Sequence, residues 1–213
     1  MHQATAWLKH KQQQQMPWTV KQMLWAGVYG VCLLISIIVP AIPLAFISLE
    51  NWKGSAAPQV HEFLAAQPTA TLVASLAQEA DNIPAFAERS TLVGEEFALA
   101  YHPKYYAVME QRATELIEAQ YSADLAAAKA MIQQYGIDYF LIESTAFDPT
   151  YLLSRKWFMH SSFTPTVMEA IARLQQGTIP ALAQLSPDCT ALAVDTFRLL
   201  NADCILEQSS PQF

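Results

Sequence analysis

The sequence predicts an α/β protein: one N-terminal transmembrane helix, then a small three-layer domain on a mostly parallel sheet of four or five strands. Three observations lead there. Residues 22–49 carry no charged side chain, and 24–47 are almost wholly apolar. From residue 58 onward, short β-favouring runs alternate with helically spaced apolar residues, the order that gives strands covered by helices. Residues 137–142, directly after Gly136, are nearly all apolar, as a strand buried on both faces of a parallel sheet requires.

Residues 1–21 are polar and glutamine-rich, with Gln12 to Gln15 in a row and no apolar period. They read as a tail that becomes helical from Val20. The span at 22–49 follows, and at 1.5 Å per residue it is long enough to cross a hydrocarbon core of roughly 30 Å. Trp18, Trp25 and Trp52 flank it where amphipathic rings prefer the headgroup layer. Pro40 and Pro43 are expected to kink or thin its last turns. Lys9, Lys11 and Lys21 precede the span and only Lys53 follows closely, so the positive-inside bias puts the tail in the cytoplasm and the rest across the membrane. A cleaved leader ending at Ser55-Ala56-Ala57 is the rival reading. It fits less well, because the apolar run exceeds a leader's core and Pro58 would follow the cut.

After a linker at 50–57, residues 58–213 form one domain's length of chain. They hold 8 Lys+Arg against 18 Asp+Glu, a formal charge of −10. That balance excludes nucleic acid as an expected partner, since phosphate binding needs cations, and disfavours lying flat on anionic lipid.

The first domain element is a brief amphipathic helix at 58–67, with Val60, Phe63 and Leu64 on one face. A strand is expected at 70–76, a helical turn with Pro84 near its start at 83–88, and a second strand at 91–93 stopped by Gly94. From 103 to 121, Tyr106, Met109, Ala113, Leu116, Ile117 and Tyr121 recur at threes and fours, one face of a long helix. Ser122 is placed to cap the next helix, whose stripe is Leu125, Ala128, Ile132 and Tyr135, and Gly136 to end it before the strand at 137–142. Thr164-Pro165 opens a helix that Gly177 closes. Residues 191–194 and 204–206 read as two last short strands around 196–202.

Cys189 and Cys204 stand fifteen apart and can pair in an oxidising compartment; two buried free thiols are the other reading. Cys32 is a small apolar filler within the span. With only 6 Gly in the chain, neither a dinucleotide fingerprint nor a phosphate loop is formed, and no zinc-ligand spacing occurs. No cofactor or metal is expected.

The segment Asp81-Asn82-Ile83-Pro84-Ala85-Phe86-Ala87-Glu88-Arg89-Ser90-Thr91-Leu92-Val93, followed by Tyr101-His102-Pro103 and Tyr105-Tyr106, carries a resemblance, as does Tyr135-Gly136-Ile137-Asp138-Tyr139-Phe140-Leu141-Ile142-Glu143. From about residue 22 to 207 the chain resembles the C-terminal last span and extracytoplasmic domain of polytopic bacterial membrane proteins, notably cyanobacterial ones, related to integral-membrane glycosyltransferases. The resemblance implies a home in the bacterial cytoplasmic membrane. It also implies a detached module, a fragment of a larger protein, or a subunit beside a polytopic partner. In those enzymes the catalytic acid lies in an early loop between membrane helices and many spans hold the lipid-linked sugar. This chain has one span and no such loop, so no catalytic residue carries over. A membrane-anchored domain with a binding or assembly role is expected, with the alternative of an enzyme part that helps recognise acceptor or lipid-linked donor.

The polar residues best placed for a ligand are Asp81, Arg89, Glu95 and His102, with Glu79, Glu88 and Glu96 nearby, all close to the predicted ends of the first two strands. Carboxylates there suit a cation or sugar hydroxyls, and Arg89 an anionic group; a solvated acidic rim with Arg89 bridging a loop is the plainer reading. Glu95 and Glu96, adjacent on a strand, would point apart and do not make a glycosidase pair. His61, His102 and His160 lack ligand spacing, and Ser161-Ser162 lacks a nucleophile elbow. Tyr101, Tyr105, Tyr106, Trp157 and Phe158 suit sugar stacking but are expected mainly to pack.

Overall fold

The computed structural model describes residues 19–50, 55–185 and 187–208. The chain divides into two units, 1–54 and 55–213.

The first unit holds helix α1, Val20–Glu50, of 31 residues. Its first turn is closed by a reciprocal cap: Gln22 Oε1 accepts from the Thr19 N–H at 2.9 Å, and Thr19 Oγ1 accepts from the Gln22 N–H at 3.4 Å. Val20–Ile42 is long and apolar enough to cross a membrane, and none of it is buried against other protein. The helix continues through Pro40 and Pro43, as a membrane helix tolerates. Within it the Ser36 hydroxyl donates to the Cys32 carbonyl at 2.8 Å, which satisfies its polar atom without a partner helix.

The second unit is the α/β domain. Its five strands are β1 (Leu72–Ala74), β2 (Ser90–Thr91), β3 (Tyr139–Glu143), β4 (Thr190–Val194) and β5 (Phe197–Asn201), in the sheet order β2-β1-β3-β5-β4. β2, β1 and β3 run parallel; β5 pairs antiparallel with both β3 and β4. The sheet is therefore mixed, with parallel pairing confined to its first three strands. The cause is local: Asp195, at φ 44°, and Thr196 form a two-residue turn that folds β4 onto β5 as a hairpin. A tight turn permits only antiparallel neighbours. The sheet's end also departs from expectation, since 197–201 is a strand and 204–206 lies in a helix. Asn201 explains the switch, because its Oδ1 accepts from the Cys204 N–H at 2.9 Å and so caps helix Ala202–Glu207.

Nine helices are described in all. In the domain, α2 (Pro58–Ala65) and α3 (Ile83–Phe86) belong to one face of the sheet, with a 3₁₀ turn, Gln78–Asn82, between β1 and α3. The other face carries α4 (Pro103–Gln120), α5 (Leu125–Tyr135), α6 (Pro149–Ser154), α7 (Lys156–Met159), α8 (Thr164–Gln175) and α9 (Ala202–Glu207). This is the three-layer arrangement. β3 shows why it must be: Phe140 and Ile142 enter the larger core with Leu116, Ile117 and Leu125, while Leu141 enters the smaller one with Val60, Leu64 and Leu199. Asp124, rather than Ser122, is the cap residue of α5, its carboxylate accepting from the Ala126 N–H at 2.9 Å. Gly136 takes the left-handed conformation that ends the helix (φ 68°). Likewise α8 begins at Thr164 with Phe163 before it, and Gly177 follows its end at φ 84°.

Cys189 and Cys204 are joined by a disulfide that fastens the start of β4 to α9 across 15 residues. Replacing both by serine is expected to lower unfolding stability by about 3 kcal/mol, the loop-closure value for such a ring, read as a shift in denaturant midpoint at unchanged slope.

Candidate functional site

Parallel pairing brings the carboxyl ends of β1, β2 and β3 to one end of the sheet, where open α/β sheets usually place ligands. β1 runs on through Leu76 into the turn that carries Asp81. β2 runs on through Gly94 to Glu95 and Glu96. β3 ends at Glu143, and the α6–α7 junction supplies Tyr151 and Arg155.

Asp81 is 9% exposed, and its Oδ1 accepts from the Glu96 N–H at 3.3 Å. Gly94 makes room for it, since a Cβ there would stand 2.4 Å from Asp81 Oδ1. Burial pushes the Asp81 carboxyl up to about 6; the Glu96 N–H and the Arg155 charge pull it down, and the Glu96 and Glu95 charges add to the rise. Arg155 ties the ends together. Its Nη2 donates to Glu95 Oε2 at 3.1 Å, and its Nη1 to the Tyr151 hydroxyl at 3.2 Å and to the Leu76 carbonyl. The guanidinium also lies 4.9 Å from the Phe158 ring centre. Tyr151 is buried and its hydroxyl is pushed up to about 12, chiefly by loss of water, with Glu143 adding and Arg155 opposing. Beneath it the Tyr121 hydroxyl donates to the Ala146 carbonyl at 2.7 Å, and burial raises its pKa as well.

The structure thus brings Asp81 and Glu95 together, around an arginine that the sequence reading did not single out. Arg155 and Tyr151, one helical turn apart, were the available signal. Glu95 and Glu96 lie in a turn beyond β2, not on the strand, and do different work: one takes the guanidinium, the other offers its N–H to Asp81.

Arg89 is not part of this cluster. It precedes β2 at the opposite end, is buried, and donates to the carbonyls of Gln67 (3.0 Å), Ala87 (3.2 Å), Glu88 (3.0 Å) and Ala65 (2.7 Å). A cation on the last carbonyls of α2 is a helix stop, so Arg89 does the bridging of the plainer reading. His102 also lies apart, before α4, with its ring 4.7 Å from that of Tyr101. Of the aromatic set, Phe158 is buried and Trp157 packs edge-on to Phe163 at 5.2 Å, whereas Tyr101 and Tyr105 are exposed.

A second buried polar pair escaped the sequence reading. His61 Nε2 and Glu79 Oε1 are 2.6 Å apart, each side chain 5% exposed. Glu79 also accepts from the Ser55 hydroxyl at 2.8 Å and the Ala56 N–H at 3.1 Å, fastening the domain's first residues to the turn after β1. Burial alone would raise the Glu79 carboxyl, but these hydrogen bonds prevail and hold it below its ordinary value. Among the described residues, no three His, Cys, Asp or Glu side chains converge as metal ligands would. At the amino ends of β1 and β3, Thr71, Asp138, Tyr139 and Asp203 are among the walls of a polar hollow of about 270 Å³.

No protein-family model, curated protein or solved structure matches the chain.

Asp81→Asn is expected to raise stability at pH 7.5 by about 1–2 kcal/mol and to change little at pH 4. The folded state holds this proton more tightly than the unfolded one, so the native Asp81 costs stability as pH rises from about 4 through 6. Denaturant midpoints across that range check the sign. Arg89→Ala is expected to cost about 3 kcal/mol, and Arg89→Lys to recover little of it, because one ammonium cannot reach four carbonyls.

Proposed function

We propose that the protein is a single-pass membrane anchor whose extracytoplasmic domain has a binding or assembly role, without catalysis of its own, beside a polytopic glycosyltransferase-related membrane protein. The observation that carries this reading is the combination, in one chain, of a bare apolar helix with a domain closed by a disulfide. An unburied helix of that composition finds its solvent in hydrocarbon. A disulfide persists where the compartment is oxidising, which favours the outer side of a cytoplasmic membrane. Lys9, Lys11 and Lys21 on the other flank agree with that direction.

The cluster at the carboxyl ends of β1–β3 lends no support to catalysis, because its polar groups are taken up by one another and by the backbone. Arg155 spends its donors on Glu95, Tyr151 and the Leu76 carbonyl, and Asp81 faces a backbone N–H. The segments that carry the glycosyltransferase-related resemblance form framework: α3 and β2 in one case, the Gly136 stop and β3 in the other. A shared scaffold is what an accessory module of such a system would keep.

Spheroplasts expressing the full chain with a C-terminal epitope provide the test. External protease is expected to remove the epitope, and mild-detergent purification to bring down a multi-span membrane protein in near-equal amount. An epitope protected until the membrane is broken would overturn the orientation, and a chain that purifies alone would overturn the partnership.

A further inference from the structure

β2 lies at the rim of the sheet, with β1 beside it on one side only. The Ser90 N–H donates to the Thr71 carbonyl at 3.2 Å and the Leu92 N–H to the Val73 carbonyl at 2.8 Å, both toward β1. Backbone groups alternate along a strand, so the Thr91 N–H between them faces the free edge. Between this edge and α4 lies a hollow of about 260 Å³, with Arg89, Thr91, Leu92, Phe97, Met109 and Arg112 among its walls.

Those walls include two arginines and no carboxylate, in a domain whose acidic residues outnumber its basic ones. Neither arginine is paired with an acid. Arg89 is 8% exposed and spends its donors on backbone carbonyls, which satisfy its hydrogen bonds but leave its formal charge in place. Arg112 lies over the Tyr135 ring, 5.5 Å from its centre, and among the described residues makes no hydrogen bond or ion pair. Glu115, three residues on along α4, is the natural partner for it. That carboxylate accepts instead from the Tyr135 hydroxyl at 2.6 Å, Gln111 at 2.9 Å and Gln134 at 3.1 Å. The hollow therefore keeps unpaired positive charge beside apolar walls, where water screens it less than in bulk.

We propose that this hollow binds a small carboxylate with a short apolar body. Arg112 and the Thr91 N–H supply the donors, Arg89 adds its charge, and Leu92, Phe97 and Met109 take the hydrocarbon. One free guanidinium and one free N–H match the two oxygens of a carboxylate, whereas a phosphate dianion calls for more donors. The site does not depend on the partner or the orientation proposed above.

Equilibrium dialysis of the full chain in maltoside micelles against radiolabelled butyrate at neutral pH is the test. Saturable binding of one butyrate per chain is expected. Acetate, two methylenes shorter, is expected to compete about tenfold less well. Neutral butyramide and inorganic phosphate are expected to compete more weakly still. Arg112→Gln is expected to weaken butyrate binding at least tenfold at an unchanged denaturant midpoint, while Arg198→Gln, which removes the same charge from β5, binds as the native chain does. Should Arg112→Gln fail to fold, the comparison of butyrate with butyramide on the native chain decides alone. Butyramide competing as well as butyrate, undiminished binding by Arg112→Gln, an equal loss in Arg198→Gln, or no saturable binding at millimolar butyrate would each refute the site. Phosphate displacing butyrate at lower concentration than acetate does would refute the carboxylate.

Discussion

Three consecutive side chains of β3, Phe140, Leu141 and Ile142, are buried on alternating sides of the sheet. A strand of this kind has no face to show to water, so whatever surrounds it must cover both sides. On one side, α4 and α5 bring Leu116, Ile117, Leu125 and Ile132 to Phe140 and Ile142. On the other, α2 brings Val60 and Leu64 to Leu141. Because β1 and β3 are parallel, the chain between them must cross over, and its crossovers supply α3, α4 and α5 among the covering helices. The same geometry gathers the ends of three strands at the place where Asp81, Glu95 and Arg155 meet.

The domain keeps its buried and half-buried charge in three sets, and all three secure chain that would otherwise be loose. Glu79 and His61 fix Ser55 and Ala56, where the domain begins. Arg155 holds the exit of β1 through Leu76 and the exit of β2 through Glu95. Arg89 does comparable work at the opposite end, where it finishes α2. Most of these buried polar atoms have their partners supplied, the condition under which burial does not become a defect; the exception is His61 Nδ1, which is buried with no hydrogen-bond partner.

Much of this was written in local pattern. The stripe Met109, Ala113, Leu116 and Ile117 marked α4, Gly136 marked the stop before β3, and the uncharged run marked α1, because each depends on neighbours close in sequence. The direction of the last strands was not, since it turns on Asp195 accepting a positive φ and on Asn201 capping a helix where Cys204, Ile205 and Leu206 resemble a strand. The site was legible in part. Asp81 and Glu95 do lie beyond the ends of β1 and β2, but Arg155 comes from sixty residues beyond Glu95 and only the tertiary fold brings it in. Arg89 allowed two readings for a physical reason, and its four carbonyl bonds fit the plainer one, a bridge. A buried guanidinium that satisfies four carbonyls looks, in one dimension, like a free anion receptor.

Both rims of the sheet are unsuited to extension. β2 contributes only Ser90 and Thr91 to its ladder, and β4 is broken by a bulge between Thr190 and Leu192. Strand edges that are short or irregular make poor templates for another chain's backbone. Such blunted margins let copies of the domain crowd together without zipping into fibres.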